Sequence, residues 1–149
     1  MQLSADGEAM VHHDGTLGRL TDGAGPLRAL TAAALKAIAF KATTDRMLTL
    51  GELCDLVAGR VPLIVEVKTD PTGQPDLPPR VAKVLAGYGG PVAAMSFDPD
   101  QVTALQHLAP KLTRGIVAQR RYDSATEGAT WDRLTPFQKW GLGHLLHAP

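Results

Sequence analysis

Apolar positions along this chain fall into two alternating rhythms. Largely apolar runs over Pro62 to Lys68 (apolar until its last residues), Pro91 to Phe97 and Gly115 to Ala118 are long enough for strands and too short for helices. Such runs predict parallel strands buried on both faces. Between and before them stand segments with helical spacing. Thr31 caps a predicted helix over Ala32 to Phe40 with a narrow stripe of Leu35 and Ile38. Thr49-Leu50-Gly51-Glu52 is a capping box, followed by Leu53, Cys54 and Val57 on one face before Gly59. Val81, Val84, Leu85 and Tyr88 predict a helix closed by Gly89-Gly90, after a proline-rich loop over Asp70 to Pro79. Asp98-Pro99 opens another, with Val102, Leu105 and Leu108 as its inner face. A last helix is expected from Thr135 to Leu146.

The first thirty residues read differently. Asp6-Gly7 is a turn dipeptide between two extended segments, Gln2 to Ser4 and Glu8 to His13, which predicts a strand-turn-strand opening. Gly15 to Leu30 carries Gly18, Gly23, Gly25 and Pro26 and reads as loop. Strand and helix then alternate at roughly 25 to 30 residues per unit, the βαβ pattern of an α/β fold with a parallel sheet. Neither a Gly-x-Gly-x-x-Gly turn nor a phosphate loop follows a strand, which favours a (β/α) barrel over a nucleotide-binding doubly wound sheet.

Composition narrows the partners. The 149 residues, 44% hydrophobic and 20% charged, suit one globular domain. Lys plus Arg and Asp plus Glu each number 15, so no basic field favours nucleic acid. The single cysteine, Cys54, excludes an intramolecular disulfide. No leader pattern and no transmembrane segment are visible, and a cytoplasmic location is the expectation.

In a barrel, reactive groups sit at the carboxyl ends of strands. The predicted strands end in His13-Asp14, Glu66-Val67-Lys68, Ser96-Phe97 and Gln119-Arg120. Side-chain alternation puts Ile64, Glu66 and Lys68 on one face and Leu63, Val65 and Val67 on the other, which should meet the helices. Glu66 and Lys68 then face the axis, where a charge needs a metal, a counter-charge or an anionic substrate. A self-neutralising Glu66-Lys68 pair and a structural His13 are the plain alternative. Together, a proton-moving histidine, a carboxylate and an ammonium suit phosphate ester chemistry. One carboxylate is too few to hold Mg²⁺ or Ca²⁺.

Several residues read as structural. His12 alternates away from His13 and packs the strand, Cys54 lies in the core, Arg120-Arg121 read as a solvated pair in preference to a phosphate holder at a strand end, and Trp131, Trp140, His144 and His147 belong in or near the last helix. Ser96 shapes a strand end without a chemical step.

The residues Leu3 to Asp14, Thr16 to Thr21, Gly23 to Pro26, Met47 to Leu53, Glu66-Val67-Lys68 and Ser96-Phe97 resemble, in order and spacing, the glycerophosphodiester phosphodiesterases. That resemblance, from Leu3 to about Gln119, implies a TIM barrel and metal-assisted hydrolysis of a small-molecule glycerophosphodiester to glycerol 3-phosphate and an alcohol. It implies His13 as the general acid at the leaving alcohol, Glu66 as a ligand to a divalent metal, Mg or Ca, and Lys68 as the group that neutralises phosphate. The family's opening His-Arg-Gly and Glu-x-Asp motifs are absent before Gln2, and the chain stops at Pro149 before the last strands. A complete barrel takes about 250 residues. Residues 1–149 are thus expected to be an incomplete domain, about strands two or three to six of eight, inactive in isolation. The alternative is a non-catalytic barrel remnant that binds a phosphodiester or associates with another chain through exposed sheet edges.

Overall fold

The computed structural model describes residues 1–69 and 74–118. The predicted last helix, the Gln119-Arg120 strand end, Arg121, Trp131, Trp140, His144 and His147 lie outside the described residues.

The chain opens with β1 (Gln2–Leu3) and β2 (Ala9–Met10), an antiparallel pair around the Asp6-Gly7 turn. Gly7 takes φ +82°, a conformation that costs glycine nothing and other residues more. The segment read as loop contains a second small antiparallel pair, β3 (Thr16–Leu17) with β4 (Gly25–Pro26), and a 3-10 turn over Leu27–Ala29. Two-residue strands carry too little alternation to be seen in a sequence.

Helix α1 runs over Ala32–Ala37, capped by the Thr31 side chain, and stops short of the predicted Phe40. Ile38 turns extended, and Ala39 and Phe40 bridge to Arg46 and Thr21 instead. Helix α2 (Leu50–Val57) has the full reciprocal capping box between Thr49 and Glu52. Ala58 ends it in the left-handed conformation at φ 49°, one residue before Gly59. Thr49→Ala removes the acceptor for the Glu52 N–H and is expected to lower unfolding free energy by about 1 kcal/mol, read as a shift in urea midpoint.

Three parallel strands follow in the order β5 (Leu63–Glu66), β6 (Val92–Ser96), β7 (Thr113–Ile116), the last two residues earlier than predicted. Met1 N–H donates to Glu66 O and Lys68 N–H to Met1 O, the alternation of a parallel pair, so the start of β1 lies beside the end of β5. Helix α3 (Leu77–Leu85) joins β5 to β6, and α4 (Pro99–Leu108) joins β6 to β7.

Two helix readings are corrected. Helix α3 begins inside the supposed proline loop, with Pro78 and Pro79 in its first turn, where no N–H has an intrahelical partner to lose. In α4 the inward face is Gln101 and Leu105, one turn apart, and Leu108 is 49% exposed. A spacing of three residues repeated twice drifts off a helical face.

The larger core, between the sheet and the helices, gathers Leu50, Cys54, Val65, Val67, Leu77, Val81, Leu85, Ala94 and Leu105. The second, under the N-terminal hairpins, holds Met10, Leu17, Leu27, Leu35 and Met47. Val65 and Val67 are buried while Ile64 is 63% exposed, so the two valines face the helices and Ile64 the opposite side. Cys54 is buried, which raises its thiol pKa. No helix among the described residues is long and apolar enough to cross a membrane.

Candidate active site

The two cores converge on one cluster of side chains. Residues 11–14 leave β2 between the buried anchors Met10 and Leu17, and Val11 N–H donates to Leu48 O, just before the cap of α2. Glu66 and Lys68 flank the fully buried Val67 at the end of β5. The fold thereby brings together His13 and Lys68, 55 residues apart in sequence: Lys68 Nζ lies 3.3 Å from His13 Nε2 and 2.8 Å from Glu66 Oε1. Phe97, beyond β6, stands with its ring centroid 6.0 Å from the same nitrogen.

The other side of the imidazole is equally engaged. His13 Nδ1 is 2.7 Å from Asp14 Oδ1, and Arg19 grips both oxygens of Asp14, at 2.6 Å from Nε and 2.8 Å from Nη2. The Arg19 guanidinium, with a smaller contribution from His13, holds the Asp14 carboxyl well below the usual carboxylate range. Asp14 and Arg19 take part in the site through loop geometry; a separation of five residues matches neither helix nor strand periodicity, and it left no mark in the pattern of the sequence.

His12 points the other way. It is buried, stacks on Phe40 with centroids 6.4 Å apart, and its Nδ1 donates to the Asp14 carbonyl at 2.9 Å. The His13 carbonyl accepts from Gln2 Nε2, and Gln2 in turn accepts from Gln74. Ser96 shapes the strand ends: its buried hydroxyl donates to Val67 O at 2.7 Å and accepts from Asp98 N–H.

A group whose folded pKa lies below its unfolded value near 3.9 stabilises fully above that value and loses the contribution as pH falls through the folded one. The stability difference between the wild-type chain and an Asp14→Asn variant is therefore expected to shrink between about pH 4 and pH 2. Urea unfolding at pH 7 and at the acidic end checks it; a gap that widens on acidification contradicts the assignment.

The donor set does not fit a metal centre by itself. Among the described residues no group of three or more His, Cys, Asp or Glu is placed to hold an ion. Glu66 offers one carboxylate, already paired with Lys68, whereas hard cations take about six oxygen ligands.

Comparison with known proteins gives the family of the chain. The model of the Glycerophosphoryl diester phosphodiesterase family matches residues 1–139. The chain belongs to that family. Its members are phosphoric diester hydrolases. No curated protein matches the chain. A phosphodiesterase from Oleispira antarctica, solved in complex with the product sn-glycerol-3-phosphate, superposes with a TM-score of 0.72 at 23% identity, over 82% of this chain and 54% of that one. A glycerophosphodiester phosphodiesterase from Agrobacterium tumefaciens reaches 0.64 at 26% identity, covering 75% and 49%. One from Parabacteroides distasonis reaches 0.62 at 20% identity, covering 97% and 55%. The chain spans about half the length of these relatives. Their architecture is of the TIM-barrel type; the described residues of this phosphodiesterase-family chain form an α/β sheet that does not close.

Proposed function

We propose that His13, Glu66 and Lys68 are this chain's share of an active site that hydrolyses glycerophosphodiesters to glycerol 3-phosphate and an alcohol. The observation that carries the reading is the Lys68 ammonium, poised between His13 Nε2 and Glu66 Oε1 at the carboxyl end of a parallel strand. Residues 1–149 are proposed to be one incomplete barrel domain, about strands two or three to six of eight.

Lys68 is already partly neutralised by Glu66, and an arriving phosphodiester offers it a second, mobile anion. A phosphate oxygen held by Lys68 lies within hydrogen-bond reach of His13. The reaction forms a bond from water oxygen to phosphorus, with the water's proton released to solvent, and breaks the bond from phosphorus to the alcohol oxygen. In its protonated form His13 gives its Nε2 proton to that departing oxygen, which leaves as a neutral alcohol rather than an alkoxide. Asp14 stabilises the imidazolium needed for the transfer. Lys68 opposes charge growing on the phosphoryl oxygens. Family members generally use a divalent metal. Glu66 is proposed as one oxygen ligand to Mg²⁺ or Ca²⁺, and a single carboxylate does not complete a centre.

The experiment is a calorimetric titration with glycerol 3-phosphate, paired with an assay on a glycerophosphodiester such as glycerophosphocholine in the presence of Mg²⁺ or Ca²⁺. Purified residues 1–149 are expected to bind glycerol 3-phosphate in preference to glycerol and to release none from the diester. Absence of binding contradicts the site; turnover by residues 1–149 contradicts the metal-ligand account.

A further inference from the structure

His13 presents most of its ring to solvent, with 66% of the side chain exposed, so packing does not orient it. Its direction comes from hydrogen bonds at its two nitrogens. A neutral imidazole has one donor and one acceptor nitrogen, and an ammonium can only donate. Lys68 at Nε2 therefore leaves the hydrogen to Nδ1, facing Asp14. The Asp14 carboxylate accepts that hydrogen, so Lys68 and Asp14 together select the tautomer whose Nε2 lone pair takes up and gives the proton, and the share due to Asp14 depends on where its carboxylate stands.

Two anchors hold Asp14. Its backbone carbonyl accepts from the buried His12, which is itself fixed against Phe40. Its carboxylate is gripped by both arms of Arg19, the planar fork that matches a carboxylate, where a lysine would meet it as a point charge. We infer that Arg19 is a positioning residue: by gripping both oxygens of Asp14 it holds that carboxylate against His13 Nδ1, fixes the Nδ1–H tautomer, and leaves Nε2 directed at Lys68. Its use in phosphodiester hydrolysis rests on the function proposed above; the tautomer itself does not. The depressed carboxyl pKa of Asp14 and the raised pKa of Arg19 agree with a tight pair.

The test is imidazole nitrogen NMR on the histidine-labelled chain without ligand, at a pH above the titration of the rings, with His13 assigned through H13Q. The expected wild-type ratio favours the Nδ1–H tautomer by about tenfold, the factor that 1.4 kcal/mol gives. D14A and R19M are expected to lower this preference to the part that Lys68 alone maintains, and R19K to restore it only in part. Retention of the wild-type ratio in R19M or in D14A overturns the inference, and full retention in R19K overturns the requirement for the planar fork. Backbone spectra of the same samples establish that each variant is folded. Because the ratio is read without ligand, a failure to bind glycerol 3-phosphate would contradict the proposed function and leave this signature unchanged.

Discussion

Lys68→Met is expected to weaken binding of glycerol 3-phosphate by roughly ten- to a hundredfold, the consequence of losing about 1.5–3 kcal/mol of charge-assisted hydrogen bonding. The methionine keeps much of the aliphatic stem and removes the ammonium. What remains is Glu66, a carboxylate whose partner is gone and whose charge now repels the phosphate. Calorimetric titration at low and at physiological salt measures the effect. Affinity within about twofold of wild type would show that phosphate is held elsewhere and that the Lys68-Glu66 pair only neutralises itself.

Leu50→Ala carries the largest expected stability change, a loss of roughly 2–5 kcal/mol. Leu50 is fully buried as the first residue of α2 after its cap, in the core that also holds Val65 and Val67. The cavity would open beneath the strand that carries Glu66 and Lys68. Against a total stability of about 5–15 kcal/mol for a domain, the loss is a large fraction, read as a urea midpoint shift with unchanged slope. A change under about 1 kcal/mol would mean that α2 does not pack on the sheet as described.

Features whose cause is local were legible in the sequence. The Thr49-Glu52 capping box, the Asp98-Pro99 start of α4 and the continuous apolar run of β5 each depend on residues within a few positions of one another. The errors came where a long-range contact or an end effect decides. Helix α1 yields at Ile38 because Ala39 and Phe40 find bridge partners in Arg46 and Thr21. Pro78 and Pro79 look like helix breakers until their place in the first turn is known.

The candidate site shows the same division. The residues Glu66 and Lys68 are visible as polar positions at the end of an apolar strand, and His13 as a histidine leaving another. Their meeting across 55 residues, and the grip of Arg19 on Asp14, are products of the tertiary fold. So is the Ser96 hydroxyl bridging two strand ends, which the sequence placed near the site without showing what it touches.

The central claim is that His13 and Lys68 recognise one phosphate together. The most direct measurement is NMR of the selectively labelled chain, following the His13 imidazole nitrogens and the Lys68 ammonium as glycerol 3-phosphate is added. The account predicts that both signals shift along one saturation curve, with the same apparent Kd, while His12 stays in place. Saturable binding that moves neither His13 nor Lys68 would contradict it.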